Sequence, residues 1–188
     1  MDLGVSKCTL YCMSVSEPTK ILDFLYIGTD ENARDMVLLK ELQITHVVNT
    51  IDGHIKGEPS RRKLYGAQIK YCNFLAQDRQ FYYVMQHFNE VYEFIEDARL
   101  HNGIVLVHCS LGVNRSGTLA AAYVMLHKQQ GPLTTVQEIK AKRGYLLTNP
   151  GFQQQLIHYA NKRGLLMRDR HLIGESNAGS ATKASLSG

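Results

Sequence analysis

The segment Gly103–Leu126, GIVLVHCSLGVNRSGTLAAAYVML, changes character twice in a short span. Ile104 to Val107 are apolar without alternation, and the run closes on His108. A short strand with no polar face is one covered on both sides, in the middle of a sheet. From Ser116 the chain is rich in alanine and other helix formers to about Gln130, and Gly131-Pro132 then ends the helix. Between strand and helix lie Cys109, Ser110, Leu111, Gly112, Val113, Asn114 and Arg115. Gly112 and Gly117 permit the tight or closely packed backbone such a turn needs. Successive amide N–H groups in a turn of this kind point inward and form an anion nest. The helix that follows adds unpaired N–H groups and the positive end of its dipole. Arg115, at the helix start, offers a planar fork able to hold two oxygens of one phosphate.

The same positive surroundings act on Cys109. Thiols at helix N-termini and beside cations ionise well below their ordinary range, and the thiolate is the nucleophile. Cys109 at the floor of a phosphate cradle is therefore expected to attack phosphorus. His108 is expected to point back into the domain and order the loop by hydrogen bonds. Ser116 is placed to hydrogen-bond the sulfur when it departs, and a side chain at Gly112 is expected to cripple the loop.

Working outward, Ile21–Gly28 reads as a strand, and Thr29 or Asp30 caps a helix reaching about Leu42. Thr45–Thr50 is a second strand, Asp52–Gly66 a loop or hairpin region, and Ile69–Phe74 a third strand. Phe81–Leu100 has the clearest helical period, with Val84, Phe88, Val91, Ile95 and Ala98 on one face. After the central helix, Thr134 or Thr135 caps another through Arg143, and NPGFQQQLIHYANKRG forms a last one with Pro150 in its first turn. Residues 1–18 form an arm, 19–173 a single catalytic domain, and the Gly/Ser/Ala-rich stretch 174–188 a disordered tail. Strands alternating with helices around a wholly apolar central strand imply an α/β fold with helices on both faces of the sheet. Such sheets bind ligands at the carboxyl ends of their strands, which is where Cys109 falls.

A chain of 188 residues with 44% hydrophobic and 20% charged residues suits one globular domain. Its net charge of +4 fits an anionic substrate and is too small to imply nucleic acid or a membrane surface, so neither partner is expected. No secretory leader, N-myristoylation signal or membrane-spanning run is expected. Cys8 and Cys12 lack the second ligand pair of a structural zinc site, and neither metal nor cofactor is expected. A reduced intracellular setting, cytoplasm or nucleus, follows, and the Asn114-Arg115-Ser116 glycosylation pattern carries no weight there.

The run His108-Cys109, five residues, Arg115 and then Ser116 resembles the signature of the cysteine-dependent protein phosphatases. With the alanine-rich helix after it, the match is to the dual-specificity subgroup, in its small atypical form. The likeness extends from FLYIGTDENA through ITHVVNT to NPGFQQQL. It implies a mixed, mostly parallel central sheet and metal-independent hydrolysis of phosphotyrosine, phosphoserine and phosphothreonine through a phosphocysteine. It also implies phosphorylated protein substrates, with kinases of a signalling cascade as candidate partners. The family's general acid falls on Asp78, in FLAQDRQF; the competing reading is that Asp78 caps the next helix, and Asp52 and Asp97 are weaker candidates.

Other features admit two readings. Asn149 braces the phosphate loop, as the family's Asn implies, or caps the helix before Pro150. Tyr82 and Tyr83 border the cleft or pack the helix start. Cys72 is a packing residue or a redox partner for Cys109. Arg61-Arg62-Lys63 is a solvated loop face or a dock for an acidic partner. Asn114 stands where many relatives have Ser and keeps RNA 5′-phosphates open as a substrate, although Leu111 replaces the second His of those enzymes. Ser110, Leu111 and Val113 bring no positive charge for a phosphoinositide headgroup. A phosphoprotein-binding pseudophosphatase or scaffold is the non-enzymatic alternative.

Overall fold

The computed structural model describes residues 17–52 and 62–169. The expected tail, all of the arm but Glu17 and Pro18, and Arg61 lie outside the described residues. The sheet has five strands in the order β1-β2-β5-β3-β4. They are β1 (Thr19–Leu22), β2 (Leu25–Gly28), β3 (His46–Asn49), β4 (Lys70–Asn73) and β5 (Val105–His108). Only β1 runs antiparallel; β2 and β3 flank β5 in parallel, and β4 pairs in parallel with β3. This is the mixed, mostly parallel sheet expected.

The central strand is buried at every position. Val105 and Val107 face one core, with Leu25, Ile27 and Val48, and Leu106 faces the other, with Val47. The second face is covered by the short helices α1 (Asp30–Arg34), α2 (Met36–Glu41) and α3 (Arg62–Tyr65), through Ala33, Leu39 and Tyr65. The first is covered by α4 (Phe88–Leu100), α5 (Arg115–Lys128), α6 (Pro132–Arg143) and α7 (Pro150–Lys162). Ser116 to Met125 of α5 are buried all round, which makes α5 the central helix of that layer. Among the described residues no helix is long and apolar enough to cross a membrane.

Several boundaries differ from the sequence expectation. The Ile21–Gly28 run is the end of a hairpin: β1 folds back on β2 with Thr19 opposite Ile27 and Leu22 opposite Leu25. Its turn, Asp23-Phe24, contains no glycine or proline to announce it. The helix expected from Thr29 to Leu42 breaks at Asp35, whose backbone is extended. Asp35 ends α1 and caps α2, its carboxylate accepting from the amides of Val37 and Leu38 at 3.0 Å each. Thr29 does cap α1, in a reciprocal box with Asn32. The long helix begins as a 3-10 turn at Val84–His87 and leaves Phe81 outside it. Arg62–Tyr65 forms a helical turn inside the expected loop region, and residues 53–61 of that region lie outside the described residues.

Neither Thr134 nor Thr135 caps α6, which starts at Pro132. The cap comes from Asp169 in a later 3-10 turn, Leu166–Asp169; its carboxylate accepts from Leu133 N at 2.8 Å and Thr134 N at 3.2 Å. Gly131 lets that carboxylate approach, since a Cβ there would overlap it.

Candidate active site

The sheet delivers Cys109 to the carboxyl end of its central strand, and the next residues wrap around the sulfur before α5 begins. Cys109 is 1% exposed. Its Sγ accepts from the Gly112 amide and the Ser116 hydroxyl, both at 3.2 Å. Two donors converge on one sulfur and fix its position at the floor of the loop.

The carbonyls of the loop explain the direction of its amides. Asp30 N–H donates to Ser110 O at 3.3 Å, and Leu147 N–H to Val113 O at 3.0 Å. Arg143 donates to Leu111 O through Nη2 at 3.2 Å and to Gly112 O through Nε at 2.8 Å. Asn114 O accepts from the amide and hydroxyl of Thr118 at 2.8 and 2.6 Å. Every carbonyl from Ser110 to Asn114 is thus tied outward to the surrounding protein. A trans peptide points its N–H opposite to its carbonyl. The amides of Leu111 to Arg115 therefore turn toward the centre of the loop, the concavity that binds an anion. Gly112 has φ +66°, and a Cβ on it would overlap Arg143 Nη2 and lie 2.5 Å from the Gly28 carbonyl oxygen.

Arg115 is held across the loop by Nη2 donating to Ser110 Oγ at 3.1 Å and Nη1 donating to Ala76 O at 3.3 Å. Its Nε is buried and makes no hydrogen bond among the described residues. The 3.8 Å from it to Asp78 Oδ2 is an ion-pair distance beyond hydrogen-bond reach. A buried donor left unpaired at the rim of an amide nest matches an oxyanion ligand.

Asp78 stands over this loop, and its carboxylate is gripped at both ends. Asn149 Nδ2 donates to Oδ1 at 2.9 Å and Asn114 Nδ2 to Oδ2 at 3.2 Å. Asn114 Oδ1 in turn accepts from Thr148 N, Thr148 Oγ1 and Asn149 N at 2.8, 3.1 and 3.0 Å. The capping alternative for Asp78 fails: the 3-10 turn after it begins at Val84, with no side-chain cap. The weaker acid candidates are engaged elsewhere. Asp52 accepts from Tyr71 Oη at 2.6 Å, and Asp97 pairs with Lys70 at 2.8 Å at the other end of the sheet.

Asn149 has the capping role read for it, meets the phosphate loop only through its backbone amide on Asn114 Oδ1, and adds a bond to Asp78. Its Oδ1 caps α7, accepting from Gly151 N and Phe152 N at 3.0 and 3.3 Å, while its amide nitrogen holds Asp78. Asn149→Ser keeps an oxygen for the cap and removes the donor to Asp78. We expect kcat to fall about tenfold for aryl phosphates with poor leaving groups and little for those with good ones, because only the former need a well-placed proton. A series of substituted phenyl phosphates measures this.

His108 is fully buried, its Nδ1 4.0 Å from Asp30 Oδ1. Its carbonyl is fixed by Thr50, whose amide and hydroxyl donate at 3.1 and 3.0 Å. Tyr82 packs inward, donating to Leu75 O at 3.2 Å, whereas Tyr83 is exposed. Cys72 is a packing residue. Val48 sits between Cys72 and Val107 in the sheet, so two strand spacings, roughly 10 Å, separate their strands, against the ~7 Å limit for a disulfide. Burial, with the Glu90 carboxylate beside it, pushes the Cys72 thiol up to about 12. Peroxide-treated protein is expected to yield oxidised Cys109 and no 72–109 cross-linked peptide on mass spectrometry.

Arg143 is the residue that sequence reading missed. In the sequence it is only the last residue of the helix that runs through Arg143. In the structure it is buried, and besides the two loop carbonyls it donates to Ile27 O at 3.0 Å and Thr19 Oγ1 at 2.9 Å. Thr50 and Asp30 support the loop in the same way, and neither carries a local signal of it.

Comparison with known proteins gives the same picture. Residues 25–162 match the family model of the dual specificity phosphatase catalytic domain. The chain is 34% identical over 159 residues to mouse dual specificity protein phosphatase 15, covering 84% of this chain and 64% of that protein. It is 35% identical over 134 residues to bovine dual specificity protein phosphatase 26, covering 71% of this chain and 62% of that one. The chain thus spans a little under two thirds of the length of these curated relatives. The crystal structure of DUSP15 superposes with a TM-score of 0.68 at 31% identity, over 87% of this chain and 98% of that one. The chain belongs to the dual specificity phosphatase catalytic domain family.

Proposed function

We propose that this chain is a protein phosphatase that hydrolyses phosphotyrosine and phosphoserine or phosphothreonine through a phosphocysteine intermediate. The observation that carries this reading is the convergence of three functions on one loop: a sulfur with two donors, an inward-facing amide nest with Arg115, and a carboxylate poised above it. In the first step Cys109 Sγ forms a bond to phosphorus and the P–O ester bond breaks. The nest and Arg115 hold the three non-bridging oxygens. Asp78 delivers its proton to the departing oxygen. In the second step Asp78, now ionised, takes a proton from water as the water oxygen attacks phosphorus. The S–P bond breaks, and Ser116 donates to the sulfur as it leaves.

The substrate class follows from the family, and phosphorylated kinases of signalling cascades are part of the proposal. One relative, 31% identical over 154 residues, is named MAP kinase phosphatase with leucine-rich repeats protein 3. A reduced intracellular compartment belongs to the proposal too, because the nucleophile must be a free thiol. No observation in the loop favours RNA or a phosphoinositide over protein. The test is a panel of phosphotyrosine and phosphothreonine peptides, 5′-triphosphate RNA and phosphoinositides, incubated with reduced protein and EDTA. Release of phosphate from both peptide classes is expected. Release from RNA or lipid alone would overturn the substrate class.

A further inference from the structure

A groove of about 460 Å³ runs between the loop that carries Asp78 and helix α7. Its near end is lined by Gln80 and Gly151, two residues past Asp78 and Asn149 respectively. Gln80, two residues past Asp78, packs its carbonyl so closely on Gly151 that a Cβ there would overlap it. Gln155 ties the same two walls together, donating to Tyr82 O at 2.7 Å and accepting from Met85 N at 3.4 Å. These contacts fix the two walls of the groove to one another.

Its lining is one-sided in charge. His158, Lys162 and Arg163 line it, together with amide side chains and phenols, and no carboxylate does. Among the described residues neither Lys162 nor Arg163 makes an ion pair. Arg163 is held in place, its guanidinium 5.1 Å over the Tyr159 ring and its Nε donating to Tyr159 Oη at 3.0 Å. Cations beside a groove with no carboxylate in its lining concentrate negative charge there.

We propose that this groove is a substrate subsite that takes a negatively charged side chain, carboxylate or phosphate, of the same peptide whose phosphoresidue occupies the Cys109 loop. The inference rests on the protein-phosphatase reading above. The helix rise of ~1.5 Å per residue puts Lys162 roughly 16 Å along α7 from Gly151. An extended peptide advances ~3.3 Å per residue, so the cationic end receives a side chain at least about five residues from the phosphoresidue.

The test uses phosphotyrosine peptides with glutamate, a second phosphate or alanine placed about five to eight residues away, on the N-terminal side in one series and the C-terminal side in another. Binding is read by fluorescence anisotropy on Cys109→Ser, and turnover on the otherwise unaltered chain. An acidic peptide of one series is expected to bind about tenfold more tightly than its alanine counterpart. The gain should shrink as salt rises and disappear in Lys162→Glu/Arg163→Glu. Comparing the glutamate and phosphate peptides tells which anion the site prefers. Turnover of para-nitrophenyl phosphate, which is too small to reach the groove, should be unchanged by that double substitution. Equal binding of acidic and alanine peptides in both series, or a gain that survives the double substitution, would overturn the proposal. Loss of para-nitrophenyl phosphate turnover in the unaltered chain would sink the phosphatase reading instead, and the anisotropy arm would still decide the groove.

Discussion

Cys109→Ser is expected to reduce hydrolysis of para-nitrophenyl phosphate by roughly 10⁴-fold or more, the scale on which loss of a covalent nucleophile is felt. The substitution changes one buried atom. Ser has nearly the shape of Cys, and the two groups that donate to Sγ, Gly112 N and Ser116 Oγ, find an oxygen in its place. The loop carbonyls stay tied to Asp30, Arg143, Leu147 and Thr118, so the nest stays open. What disappears is the sulfur nucleophile, because a hydroxyl oxygen is a far weaker nucleophile toward phosphorus in the same place. Binding and chemistry should therefore separate: vanadate or phosphate still binds the variant while turnover is lost. Reduced wild type quenched during turnover should carry phosphate on the Cys109 peptide by mass spectrometry. Turnover in Cys109→Ser within tenfold of wild type would refute the phosphocysteine route.

The second large effect is on stability. Arg143→Met is expected to lower Tm by roughly 10 °C and kcat with it. Methionine fills much of the same volume, so packing alone changes little. The loss lies in the acceptors. Gly112 O, Leu111 O, Ile27 O and Thr19 Oγ1 all accept hydrogen bonds from this one guanidinium. A buried acceptor stripped of its donor costs about 1–3 kcal/mol, and a domain has only ~5–15 kcal/mol in all. Two of those acceptors are loop carbonyls, and freeing them releases the inward set of the amides. Arg143→Lys offers one compact ammonium in place of the planar fork and should recover only part of either loss. Thermal unfolding and steady-state kinetics on both variants check this. A Tm and kcat within error of wild type for Arg143→Met would show that the loop holds its shape unaided.

The two predictions rest on different kinds of information. Cys109, Arg115 and Ser116 belong to one short segment whose chemistry depends on local chain geometry, so strand, turn and helix start were legible in order. The same is true of the central strand, whose run of apolar residues announces burial on both faces. Asp78 needed the family resemblance as well, because acid and nucleophile come from separate loops. The break at Asp35 and the hairpin turn at Asp23-Phe24 stayed hidden because neither carries a Gly or Pro, and a single Asp is equally at home inside a short helix or loop.

By itself, then, the sequence determined the candidate nucleophile, the glycine-bearing turn that wraps it, the alternation of strands and helices, and the central place of β5. Each of these is written in contiguous residues, through backbone freedom, periodicity or side-chain chemistry. Only the tertiary structure decided how the site is held. Arg143 under the loop, Thr50 on the His108 carbonyl, the Asn114–Asn149 grip on Asp78 and the Asp169 cap on α6 all join segments far apart in the chain. An arginine at a helix end and an asparagine before a proline look the same in sequence whether they face water or a buried carbonyl. The difference appears only when folding removes the water and leaves each buried donor and acceptor to find its partner in the protein.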